Sequence, residues 1–156
     1  LLSAQPFFWP SSNLELPANS AVTITFLQFG GPMGQIYNEY FAEVHGSLDG
    51  TMKWNGKSIK RLKPTEVTHT FTVYQYPESN QPEFFLNVPL PINSATAKMD
   101  KDGYAVEPQK VEVTFITGDP GSYVWNCQFP CGDMYQEFGG AMQTRGWMGG
   151  TLRVVA

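Results

Sequence analysis

Apolar and polar residues alternate along several stretches of this chain, and turn-forming residues separate those stretches. In "AVTITFL", Val22, Ile24 and Phe26 take one face, and Thr23 and Thr25 take the other. In "VTHTFTV", Val67, His69, Phe71 and Val73 oppose Thr68, Thr70 and Thr72. In "KVEVTFI", Val111, Val113 and Phe115 oppose Glu112 and Thr114. A period of two sends successive side chains to opposite faces of a strand, so each stretch predicts a strand with one face buried. The terminal "TLRVV" predicts a short closing strand. Asn55-Gly56, between "TMKW" and "KSIKRL", predicts a hairpin turn, because both central residues of a type I′ turn need positive φ. "TGDPGSY" predicts a second sharp turn with Pro120 and Gly121 at its corner.

One segment has a different period. In "MGQIYNEYF", Met33, Ile36, Tyr37, Tyr40 and Phe41 fall at i, i+3, i+4, i+7 and i+8. That stripe predicts a short helix packed against the sheet, within a long connection over about residues 29–65, although Gly34 works against it. Many short strands with Gly and Pro turns favour an antiparallel sandwich or barrel.

With 156 residues, one domain spanning residues 1–156 is expected, and such a chain buries roughly 70% of its unfolded surface. A hydrophobic fraction of 42% with 15% charged residues excludes disorder. No apolar run approaches the ~20 residues that span a bilayer, so the chain as given is expected to be soluble. The opening "LLSAQPFFWP" has no initiator Met, which fits a mature exported form or a head released from a membrane anchor. A net charge of -4 argues against nucleic acid, which calls for a basic footprint.

No P-loop, G-x-S-x-G, H-E-x-x-H or glycine-rich dinucleotide turn is present. What remains is a set of soft ligands. Cys127 and Cys131 flank "QFP", Met134, Met142 and Met148 follow, and His45 and His69 are the two histidines. Thiolate, thioether and imidazole together suit copper, and a His/Cys set with a weak axial Met describes electron-transfer copper sites. Each residue also has a plainer reading. A His on an apolar strand face is more often a hydrogen-bonded core residue. Met134 and Met142 are gap-fillers first. Trp125, two residues before Cys127, belongs to the core or shields a metal. Trp147 fits packing or an exposed contact. On number and spacing alone, a Cys127–Cys131 disulfide is the favoured reading; it would stabilise the fold by only roughly 2 kcal/mol, because the loop is so short.

Four segments resemble the cupredoxin superfamily. "VEVTFITGDPGSYVWNC" is similar to its strand and Pro-Gly-x-Tyr turn leading to the copper cysteine. "MGGTLRVV" resembles the segment that begins with the axial methionine. "EVTHTFTV" resembles the strand carrying the first histidine ligand, and "FFWPSSNLELPANSAVTITF" resembles the opening strands. The resemblance covers about residues 7–28, 66–75 and 109–156, and leaves the middle as an insertion. It implies an all-β, cupredoxin-like Greek-key β-sandwich whose insertion, about residues 29–65, holds a short helix. It also implies copper held by His69, Cys127, Cys131 and Met148, with Trp125 and Arg145 around them.

"Cys-x-x-x-Cys-Gly" is nearer to subunit II of haem-copper oxidases, where two thiolates bridge two copper ions and a carbonyl such as that near Phe129 contributes. The match departs at the second histidine, where Arg145 stands three residues ahead of Met148 and no histidine follows Cys127. A guanidinium does not replace an imidazole as a ligand and is tolerable near copper only at a solvent-facing rim. His45 would supply the missing ring only if the insertion folded over the copper end. The resemblance leaves open one copper ion, two, or none with a disulfide. It implies electron transfer in an extracytoplasmic setting, as a discrete carrier or as the soluble head of a membrane-anchored oxidase subunit. The partner would be a redox protein or a membrane oxidase complex, and the protein would be an enzyme only as part of such a complex. A copper-free structural subunit and a β-sandwich binding module are the rival readings.

Overall fold

In the computed structural model, the described residues are 7–31, 35–75, 84–93, 96–102, 105–129 and 145–156. They contain nine strands: β1 (Leu14–Pro17), β2 (Ala21–Gln28), β3 (Met52–Trp54), β4 (Lys57–Ile59), β5 (Val67–Gln75), β6 (Leu86–Pro91), β7 (Gln109–Ile116), β8 (Gly121–Asn126) and β9 (Gly149–Val155). Five form a sheet in the order β1-β9-β8-β5-β6, and four form a second sheet in the order β2-β7-β3-β4. The chain changes sheet between β1 and β2, β4 and β5, β6 and β7, and β7 and β8. This is the expected all-β sandwich of two sheets.

Apolar periodicity accounts for how the layers meet. Val22, Ile24 and Phe26 of β2 lie beside Phe115, Val113 and Val111 of β7, and this row faces the other sheet. Phe26 meets Phe71 across the layers at 5.2 Å, and Phe71 meets Trp125 at 4.9 Å between ring centres. Fully burying one such side chain stabilises the fold by about 1.5–3 kcal/mol. The Asn55-Gly56 hairpin forms as expected: Trp54 pairs with Lys57, and the two turn residues have φ of 46° and 84°.

The structure corrects the sequence reading at four places. First, β5 buries both faces, and Thr68, Thr70 and Thr72 are as enclosed as Phe71. The reason is that the long connection lies over the threonine face. Asn87 hydrogen-bonds Thr72 on one side and the Phe41 and Glu43 carbonyls on the other.

Second, the helical stripe collapses to a four-residue 3₁₀ helix, Glu39–Ala42. Asn38 starts it as an extended N-cap, its side chain accepting the Tyr40 N–H, so Ile36 and Tyr37 precede the helix. Ile36 is buried while Tyr37 is 82% exposed, so they share no face; Met33 and Gly34 lie outside the described residues. Third, β1 runs parallel to β9, a departure from a purely antiparallel sandwich. The two strands lie far apart in sequence, so no tight turn imposes a direction on them. Fourth, the expected Asn55-Gly56 hairpin is not set apart from the sandwich: β3 extends the second sheet by pairing with β7.

Candidate metal centre

Strand register brings three predicted ligands to one end of the sandwich. β8 and β9 are antiparallel with Asn126 opposite Gly149, so Cys127 stands opposite Met148, and the Cys127 N–H donates to the Met148 carbonyl at 2.8 Å. Directly opposed residues project to the same side of a sheet. β8 also pairs with β5, Thr72 opposite Asn126, which sets Phe71 across from Cys127 and puts His69 two residues further along the same face. A bulge between Val67 and His69 takes up Thr68, whose hydroxyl donates to the Gly31 carbonyl. Cys127, Met148 and His69 are therefore adjacent strand-end residues, exposed by only 0%, 1% and 7%.

The sulfur and the ring are in reach of each other. Cys127 Sγ lies 4.0 Å from His69 Nδ1. Metal–nitrogen and metal–sulfur bonds of about 2.0 and 2.3 Å together exceed that gap, so both atoms could hold one ion. The backbone N–H groups of Thr70 and Phe129 each approach Sγ at 3.3 Å, and the Phe129 carbonyl lies 3.4 Å from it. Two N–H dipoles aimed at one sulfur complement negative charge on it and hold its position.

The far side of the imidazole is closed by backbone. A Cβ on Gly30 would stand 3.5 Å from His69 Nε2. Buried amides hold Gly30 there. Gln28 accepts the Gly30 N–H at 2.9 Å and donates to its carbonyl at 3.1 Å. Asn93 donates to the same carbonyl at 2.8 Å and to the Gln28 carbonyl at 3.0 Å. None of these three residues was singled out from the sequence; the Gly30-Gly31 pair was the available signal.

Trp125 shares the inner face with Cys127 and is buried. Its indole N–H donates to the Ser12 carbonyl at 2.7 Å, and Phe8 stands edge-on to it at 4.6 Å, which keeps water from this flank. Ser12 comes this close because Gly150, opposite Trp125, has no Cβ; one built there would fall 1.8 Å from the Ser12 oxygen. Arg145 is exposed. Trp147 is 40% exposed, meets Phe7 edge-on at 6.2 Å, and accepts the Phe8 N–H on its carbonyl.

His45 is not brought to this group. Its ring stacks on Tyr40 at 4.0 Å, with Nε2 3.0 Å from the Tyr40 carbonyl and 3.9 Å from Glu43. Its backbone pairs with Asn87 of β6, whereas His69 pairs with Leu90, three residues or about 10 Å along that strand. Cys131, Met134 and Met142 lie outside the described residues. Among the described residues, no three His, Cys, Asp or Glu side chains gather around one point, so any metal here needs the thioether or a group from outside them. No helix of the described residues is long and apolar enough to cross a membrane.

No protein-family model matches this sequence, and no curated protein aligns with it. Among solved structures, auracyanin B superposes with a TM-score of 0.42 at 17% identity, over 94% of this chain and 79% of that one.

Proposed function

We propose that this protein transfers electrons through a copper ion held at the inner end of β5, β8 and β9. The observation that carries the reading is the 4.0 Å approach of His69 Nδ1 to a buried cysteine sulfur that already receives two backbone N–H groups. Imidazole, thiolate and thioether suit copper over the harder cations, so the donor chemistry fits. Cys127 and His69 would be ligands, Met148 a weak thioether donor, and Cys131 the donor that stands in for a second imidazole. The metal would supply a one-electron couple between Cu(I) and Cu(II).

The protein's part is to hold the donors still. Thr70 and Phe129 fix the sulfur by their N–H groups, Gly30 backs the ring, and Trp125 keeps one flank dry. A site whose donors sit on strand ends and hydrogen-bonded turns changes little between two charge states, which favours rapid transfer. The setting would be extracytoplasmic and the partner a redox protein or an oxidase complex.

The rival is a copper-free scaffold, and one observation favours it: the second imidazole, His45, is engaged elsewhere. Copper titration followed by electron paramagnetic resonance separates the two. The proposal expects stoichiometric uptake, a strong sulfur-to-copper absorption band lost in Cys127→Ser, and hyperfine structure that counts one ion or two. A protein that takes up no copper after reduction of its thiols is the scaffold.

A further inference from the structure

The buried threonine face of β5 carries a hydrogen-bond chain that ends beside the sulfur. The Gln128 N–H donates to Thr70 Oγ1 at 2.8 Å, and Thr70 Oγ1 lies 2.8 Å from Thr72 Oγ1. Thr72 Oγ1 donates to Asn87 Oδ1 at 2.7 Å. Asn87 Nδ2 spends its two hydrogens on the carbonyls of Phe41 at 3.0 Å and Glu43 at 2.6 Å. Only one polarity satisfies the whole chain. The two carbonyls accept and never donate, so the Asn87 amide must face them with its N–H₂ group. Its oxygen then takes the Thr72 proton, Thr72 must accept from Thr70, and Thr70 accepts from the Gln128 backbone. Thr70 and Asn87 are 0% exposed and Thr72 1%, so water does not replace a missing link.

We infer that Thr72 and Asn87 are positioning residues, through which the Phe41–Glu43 backbone fixes the Cys127–Phe129 segment against β5. The same residue that closes the chain, Thr70, also donates its own N–H to Cys127 Sγ. One residue thus receives the pull of the long connection on its side chain and passes it to the sulfur through its backbone. The 3₁₀ helix Glu39–Ala42 and the turn after it would then act as a strap for the site without touching it. That the strapped sulfur serves copper rests on the function proposed above; the strap itself does not.

The test is amide hydrogen exchange on the metal-free protein, comparing wild type, Thr72→Val and Thr72→Ser. Thr72→Val keeps the volume and removes one link; Thr72→Ser keeps the hydroxyl. The expected result is at least about tenfold faster exchange at Gln128 and Thr70 in Thr72→Val, with Val113 in the other sheet unchanged and Thr72→Ser close to wild type. Equal acceleration at Val113, or none at Gln128, overturns the inference. Should Thr72→Val fail to fold, wild type decides alone. Hydroxyl protons of Thr70 and Thr72 that exchange slowly enough to be observed near neutral pH support the chain, and rapidly exchanging ones overturn it. A copper-loaded comparison adds an independent arm. A shifted sulfur-to-copper band in Thr72→Val, restored in Thr72→Ser, supports the link to the site. A protein that binds no copper ends the copper function and leaves the outcome of the exchange experiment untouched.

Discussion

Replacing Gly150 by Ala places a methyl group where the Ser12 carbonyl now lies. The new Cβ would stand 1.8 Å from the Ser12 oxygen, 2.6 Å from its carbonyl carbon and 3.0 Å from its Cβ. Ordinary contact begins near 3.4 Å, so the backbone at Ser12 must retreat by about 1.6 Å. That displacement breaks the 2.7 Å bond from the Trp125 indole, whose N–H is buried and has no water to turn to. Leaving a buried donor unsatisfied costs about 1–3 kcal/mol, and overpacking adds about 1–3 kcal/mol. A loss of roughly 2–6 kcal/mol is therefore expected, read as a lower urea midpoint at unchanged slope. Gly31→Ala is the matched control: among the described residues nothing lies within 4 Å of its added Cβ and its φ is not positive, so it should be neutral or stabilise by about 0.4–1 kcal/mol. Gly150→Ala within about 1 kcal/mol of wild type would refute the proposed contact between the N-terminal segment and β9.

Three further outcomes follow from named contacts. Asn93→Ala removes two donors from the Gly30 turn and leaves buried carbonyls short of partners, so unfolding should become easier by about 1–3 kcal/mol, with unprotected Gly30 in hydrogen exchange; an unchanged midpoint contradicts this. Gly56→Ala forces a side chain into φ of 84°, so the β3–β4 hairpin should destabilise by about 1–2 kcal/mol, whereas Gly56→Asn should largely preserve it, both by thermal melting. Burial, and next the charge of Asp119, raise the Tyr123 phenol above its ordinary value near 10. The neutral phenol is thus favoured in the folded state: its contribution is intact below about pH 10 and is lost as pH rises through the folded value. The stability difference between wild type and Tyr123→Phe should be flat below pH 10 and change above it; a parallel pair of curves would refute the shift.

The sandwich was legible where one face meets the core and the other meets solvent, as in β2 and β7. Those strands alternate because their outer residues, such as Thr23 and Thr114, face water. β5 broke the rule because a polar face can be buried when every hydroxyl finds a partner, and pairwise alternation says nothing of partners 15 to 46 residues away. β6 was not singled out from the sequence, and its Pro89 and Pro91 lack the N–H that a ladder uses. They are tolerated on the sheet's last strand, whose outer edge is met by His45. The stripe from Ile36 to Phe41 failed because periodicity over two turns competes with an Asn that caps the chain in mid-stripe.

At the candidate site, the approach of His69 to Cys127 was expected from resemblance and is met by register. The Gly30 turn and the Thr70–Thr72–Asn87 chain were invisible, since they depend on which buried amides and hydroxyls meet across 15 to 65 residues of sequence. Cys131 lies outside the described residues, and its part in the site stands as a proposal.

The most direct test of the copper assignment is nitrogen NMR of protein carrying ¹⁵N-labelled histidine, titrated with Cu(I) under reducing conditions. A large shift is expected at Nδ1 of His69, saturating at a fixed copper ratio, with little change at its Nε2 and none at His45. An unmoved His69, or one that shifts no more than His45, would contradict the assignment.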